Sequence, residues 1–352
     1  MAKTANEIFR DWLLRHSHYL GRVENGAIRE MVAPYQRARQ EIYDRLADQA
    51  KWTGRTREWR IARLNAQLAE VEGALQAAAL DSAGSLQQTL RELAYTEADL
   101  QAAMLAGPFG RVGVDIVSLP YAQIEQILDE PLIYQYRGMT PADSMLWGNK
   151  KAVDAMRQEL TQAVISGEDM ARASKRLVNP LTATMKGVAY EQIARRATII
   201  ARSEIMHVSN SVSRRVFNEN QDVMKGCMYT ATLDRRTCLI CASDDGRFFP
   251  YKDGIDHEGP LLPRHPLCRC CYSPVTKSWT ELGADAKTQT GKDYFSGKRP
   301  EVITYSDWLK KQPDDVLKEI LGPARMKLWK EGKITLSKMA TDKKVIAVKD
   351  LK

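Results

Sequence analysis

The stretch from Asp234 to Thr276 constrains this chain most, because it gathers five of the six cysteines in 352 residues. Cys238 and Cys241 form a C-x-x-C, and after 23 intervening residues come His265, Cys268 and Cys270, with Cys271 directly adjacent. Two soft ligands three residues apart face one ion when the backbone turns tightly between them, and a tetrahedral zinc takes thiolate and imidazole together. The ligand set expected is four of the five residues Cys238, Cys241, His265, Cys268 and Cys270, with Cys268 and Cys270 alternatives for the last place. Free thiols in a reducing compartment are the plain alternative. The clustering argues against them, and the histidine favours zinc over a disulfide. The donors suffice to close a shell, so the expected zinc is structural, since a catalytic ion keeps a position open for water.

A chain of this length exceeds the usual single-core size, so more than one substructure is expected. No apolar run approaches the roughly 20 residues that span a bilayer, and Met1–Asn6 lead into an amphipathic, charged segment, so neither a membrane partner nor secretion is expected. The formal net charge is +8, and residues 325–352, with nine basic and three acidic side chains, supply +6 of it. Such an end is either solvated or in contact with phosphate. Its lysines Lys333, Lys338, Lys343, Lys344 and Lys349 are the candidate nucleic-acid contacts.

The amino-terminal part reads as helix. Ile8, Trp12 and Leu13 recur at helical spacing before Gly21, and Pro34 opens a longer stretch. Leu64, Leu68, Val71, Leu75 and Ala78 step by three and four, and so do Leu86, Leu90, Leu93, Leu100 and Met104, with Glu97 as the single break. The turn-prone Asp81–Ser85 between them predicts a helical hairpin with facing apolar seams, suited to a core or to self-association. Gly107-Pro108 changes the texture, a short helix is expected from Pro120 to Leu128, and helices again from Thr140 to Leu177. Thr182 to Asn218 is a long helix carrying Arg195, Arg196, Arg202, Arg214 and Arg215. Met224 to Leu233 alternates as a strand, Asp244-Asp245-Gly246 is a hairpin-type turn, and Arg247-Phe248-Phe249 is a second strand. Cys227 on the first strand reads as a buried thiol.

The fold class expected is α+β, predominantly helical. It comprises an N-terminal helical hairpin region (1–106), a middle helical domain (107–222), a small strand-containing zinc-knuckle module (223–280) and an extension with a basic tail (281–352).

The order A-R-S-E at 201–204, helix, alternating strand, D-R-R-T-C-L-I-C, D-D-G, then H-P-L-C-R-C with Pro274-Val275 resembles the bacteriophage Mu F-like minor head proteins, or phage head morphogenesis proteins. The similarity covers about Thr140 to Thr276, and the run from Thr304 to Pro313 with L-G-P-A-R-M-K-L-W-K-E-G-K is similar to the segment that follows the cysteine module there. The family's A-R-T-E stands here as Ala201-Arg202-Ser203-Glu204, and Arg202 and Glu204 are candidate partner contacts. The resemblance implies a non-enzymatic protein of the virion head interior near the portal vertex, made in the host cytoplasm. The implied partners are the portal protein, the major capsid protein and double-stranded DNA. The alternative is a zinc-module nuclease or DNA-processing enzyme, for which Asp256, His257 and Glu258 are the residues at hand.

Overall fold

The computed structural model describes residues 4–49, 57–110, 113–130, 140–150, 154, 158, 189–252, 256–283, 295, 303–341 and 344–351. The class is α+β. Helix α1 spans Ala5–Gln49, α2 Arg57–Gly110, α3 Tyr121–Asp129 and α4 Ala189–Glu219. Strand β1 (Met224–Thr230), the short helix α5 (Leu239–Asp244), β2 (Phe248–Pro250) and β3 (Cys271–Thr276) follow. Helices α6 (Tyr305–Lys310), α7 (Asp314–Leu321) and α8 (Pro323–Lys330) come last. No helix among the described residues is long and apolar enough to cross a membrane.

The chain divides into two compact units, one of residues 1–20, 93–129 and 206–352, the other of residues 21–92 and 130–205. These lines differ from the four segments expected from the sequence. In the second unit, Leu68, Val71, Leu75, Ala78, Ala79 and Leu86 on α2 are all buried. Thr89 Oγ1 donates to Glu30 Oε2 at 3.5 Å, so α1 and α2 lie side by side there. The Arg196 guanidinium stacks over Trp147 at 4.5 Å, and Asn149 Nδ2 donates to the Leu75 carbonyl at 2.7 Å.

The turn expected at Asp81–Ser85 is absent. Helix α2 runs straight through it, with Ser82 fully buried between Ala79 and Leu86. Burial of that face outweighs the local turn preference, because a helix draws most of its stability from packing rather than propensity. The two apolar seams expected to face each other thus lie along one continuous helix. Likewise α1 does not stop at Gly21 or restart at Pro34. Its buried Leu20, Ala27, Met31, Tyr35, Ala38 and Ile42 hold a single register across both. Among the described residues 141–150 are helical, and most of the rest of the helices expected between Thr140 and Leu177 falls outside them. The first residues of the helix expected from Thr182 also fall outside them.

In the first unit the sheet has the order β2-β1-β3, antiparallel throughout. Gly226 pairs with both neighbours beside a register shift at Met224/Gly226. A Cβ there would lie 2.3 Å from the Phe249 carbonyl oxygen and 2.7 Å from Pro250 Cα, so only glycine admits β2 this closely. Strand β3 was not expected, because Pro274 interrupts its strand pattern. Asn6 Oδ1 on α1 accepts from the Thr276 backbone N–H at 3.2 Å. Asn220 near the end of α4 exchanges two 2.9 Å hydrogen bonds with the Val117 backbone, tying down the extended segment before α3.

The basic carboxyl end is folded rather than a loose tail. Tyr305, Leu309, Leu317, Leu321, Ile334, Leu336 and Met339 form one buried cluster with Ala242 of α5. A knuckle of six helical residues has little apolar surface of its own, and this segment supplies the core it lacks.

Candidate metal centre

Each half of the cysteine cluster is set by a tight local turn. Cys238 is the N-cap of α5, its Sγ accepting from the Cys241 N–H at 3.4 Å, which brings the two thiols together. In the other half the Cys268 N–H donates to the His265 carbonyl at 3.1 Å, and Leu267 takes the left-handed conformation with φ 62°. That conformation disfavours a side chain by roughly 1–2 kcal/mol, so the knuckle is held by its surroundings rather than by Leu267.

The two turns meet. Cys238 Sγ lies 3.2 Å and Cys241 Sγ 3.3 Å from His265 Nε2, and Cys241 Sγ lies 3.8 Å from Cys268 Sγ. With metal–ligand bonds of about 2.3 Å to sulfur and 2.0–2.1 Å to nitrogen, a tetrahedral zinc places its ligands about 3.5–3.8 Å apart. The donor separations thus lie close to the edges of such a shell. Two triads, Cys238–Cys241–His265 and Cys241–Cys268–Cys270, have their donor atoms within 4.8 Å of one another and share Cys241.

The electrostatics favour a cation at the centre. The Cys238 thiol is pushed down to about 4, first by its hydrogen bond with Cys241 and further by His265. Cys268 is also lowered, chiefly by its contact with Cys241. Cys241 is raised, first by Cys238 and then by Cys268. Cys270 is raised as well, because Cys268 and burial outweigh the lowering contact with Cys241. His265 is raised to about 10, first by Cys238 and then by Cys268. Thiols this crowded cannot all ionise against one another, and a divalent ion among them removes the conflict. Donor chemistry and spacing both fit zinc.

The shell is braced by ion pairs not expected from the sequence. Asp234, just ahead of the first knuckle, holds Arg269 of the second through a fork of 2.6 and 2.7 Å. Asp244 at the end of α5 pairs with Arg264 beside His265, and both side chains are buried. The Arg264 guanidinium also lies 5.9 Å over the Tyr229 ring on β1. Asp245 accepts the Ala231 N–H at 2.7 Å and the Tyr305 N–H at 2.6 Å, joining β1 to α6. The signal was present as Asp and Arg flanking each cysteine pair, but residues 35 apart give no pairing rule.

Cys271 points away from the shell, lining with Leu13, Leu14 and Met228 an apolar cavity of about 470 Å³. Cys227 is fully buried, its Sγ 3.4 Å from the Tyr251 hydroxyl, and burial pushes it up to about 12.

The residues behind the nuclease alternative do something else. His257 is 2 % exposed, accepts the Gly259 N–H on Nδ1 at 3.0 Å and sits 4.5 Å from the Tyr272 ring. Asp256 is paired with Arg214 of α4 at 2.5 Å, and Arg214 also donates to the His257 carbonyl at 2.8 Å. The group locks a loop: Asp256 is held by Arg214, and His257 is buried out of reach of a scissile phosphate. Glu258 is exposed and 3.7 Å from Lys252.

Arg202 lies 3.3 Å from Glu24 with its side chain a third exposed, whereas Glu204 is buried. Lys333, Lys338, Lys344 and Lys349 are exposed, Lys333 lying 2.8 Å from Glu331. Lys343 falls outside the described residues.

Residues 154–273 match the family model described as Phage Mu protein F like protein. This segment, about a third of the chain, is similar to the Mu F-like family, and it contains both knuckles and the first half of β3. It agrees with the resemblance drawn from residues 140–276. No curated protein and no solved structure matches the chain significantly.

Proposed function

We propose that this chain is a structural minor head protein of a tailed bacteriophage, acting in head morphogenesis. The observation that carries the reading is the coincidence of the Mu F-like segment with a cluster of soft donors that can close a metal shell. A closed shell has no position for a substrate or an activated water, so a zinc held by Cys238, Cys241, His265 and Cys268 is a staple. The ion's contribution is to fold the module, because binding energy at a site absent from the unfolded chain is folding energy.

The partners in this reading are the portal and major capsid proteins. The carboxyl segment buttresses the module, and its exposed Lys333, Lys338, Lys344 and Lys349 contact the phosphates of packaged DNA, an interaction weakened by salt. Arg202 is the residue of the A-R-S-E motif offered to a partner. The outer faces of α1 and α2 are available for self-association. The protein belongs, on this view, to the head interior near the portal vertex.

Mixing the full-length chain with the portal protein of the same phage tests the proposal, with co-elution from a sizing column as the readout. Co-elution that disappears on chelation supports a stapled docking module. Failure to bind portal or procapsid contradicts it.

A further inference from the structure

Five soft donors fall into two triads that share Cys241, and a tetrahedral ion takes four of them. Cys268 and Cys270 are two residues apart in the run that leads into β3, and both thiols gather with Cys241 while Cys271 lines the apolar cavity. Cys270 is 3 % exposed, and its carbonyl accepts from Asn210 Nδ2 of α4 at 3.2 Å. Among these four thiols Cys238 alone is not buried. The donor a solvent-borne oxidant or alkylating agent reaches first is therefore matched by a sheltered one on the far side of Cys241.

We propose that Cys270 is a reserve ligand, which takes the place of Cys238 on the zinc when Cys238 is lost or chemically blocked. This inference rests on the metal reading above. In the exchange the bond from zinc to Cys238 sulfur breaks and one to Cys270 sulfur forms. The Cys270 thiol gives up its proton, and Cys238, when unmodified, takes one up. Cys241, His265 and Cys268 remain bound throughout. The ligand set keeps its composition of three thiolates and one imidazole, so the staple survives damage at its exposed corner.

Zinc content of the purified full-length protein tests this, compared among wild type, Cys238→Ser, Cys270→Ser and the double variant. Wild type and each single variant are expected to hold about one zinc per chain, and the double variant to lose it. Cobalt-substituted single variants are expected to show thiolate-to-cobalt charge-transfer bands of equal strength. Should Cys238→Ser fold poorly, zinc-loaded wild type alkylated at Cys238, with the site mapped by mass spectrometry, is expected to retain its metal. Loss of zinc from Cys238→Ser, or release in step with Cys238 alkylation, overturns the reserve role while the wild-type metal reading stands. A metal-free wild type overturns both.

Discussion

His16 on α1 and Glu97 on α2 meet through a 2.8 Å contact between Nε2 and Oε2, with Glu97 fully buried. The other carboxylate oxygen accepts from Gln101 at 2.6 Å and from Ser209 of α4 at 3.1 Å, so one side chain joins three helices. Trp12 stacks on His16 at 4.4 Å and closes the node. Removing Glu97 leaves three buried donors without their acceptor. Glu97→Ala is expected to cost about 3–5 kcal/mol, and His16→Ala less, since Glu97 keeps its other partners. Equilibrium urea denaturation checks the order, and a Glu97→Ala variant as stable as wild type would contradict it.

Tyr305 couples the carboxyl segment to the first knuckle, its hydroxyl donating to the Asp234 carbonyl at 2.9 Å and its ring fully buried. Tyr305→Phe removes only the hydrogen bond and is expected to cost about 1 kcal/mol. Tyr305→Ala opens a core cavity at about 3–5 kcal/mol and should leave residues 224–276 sensitive to protease. A truncation before Ile303 that leaves this region resistant would show that the carboxyl segment does not support the module.

His257 makes the loop lock dependent on pH. Burial first, and the Arg214 guanidinium second, hold its imidazole down at about 4. Below its unfolded value of about 6.5 the unfolded chain takes up a proton that the folded chain refuses. Its contribution to stability is therefore complete above that value and falls as pH drops toward 4, by on the order of 1–3 kcal/mol. The His257→Gln variant should lose this part of the slope in denaturation measured from pH 7 to 4. An unchanged slope would contradict the assignment.

Gly226→Ala places a methyl group against the Phe249 carbonyl oxygen and Pro250 Cα, both backbone atoms that cannot swing aside. The strands must part, at an expected cost of about 1–3 kcal/mol. Faster amide exchange at Met228 and Tyr251, whose neighbouring strands would loosen, is the accompanying signature.

The cysteine spacing was legible because ligand geometry is local: each knuckle is three residues across and marked by its own soft donors. Strands β1 and β2 and helix α3 were legible from alternation and from Pro120. The turn expected at Asp81–Ser85 was wrong because Ser82 is buried in a helix face whose packing partners are remote in sequence. The break at Glu97 has no local explanation, since its partners His16 and Ser209 lie 81 and 112 residues away. The core shared by Ala242 and the carboxyl segment was missed for the same reason. Long-range pairing leaves no periodic trace in a single chain.

Native mass spectrometry of the purified chain tests the metal staple most directly, because it reports bound metal and folded compactness in one spectrum. The account predicts a compact species carrying about one zinc, and a less compact one once a chelator has removed it. A compact, metal-free chain would contradict the account.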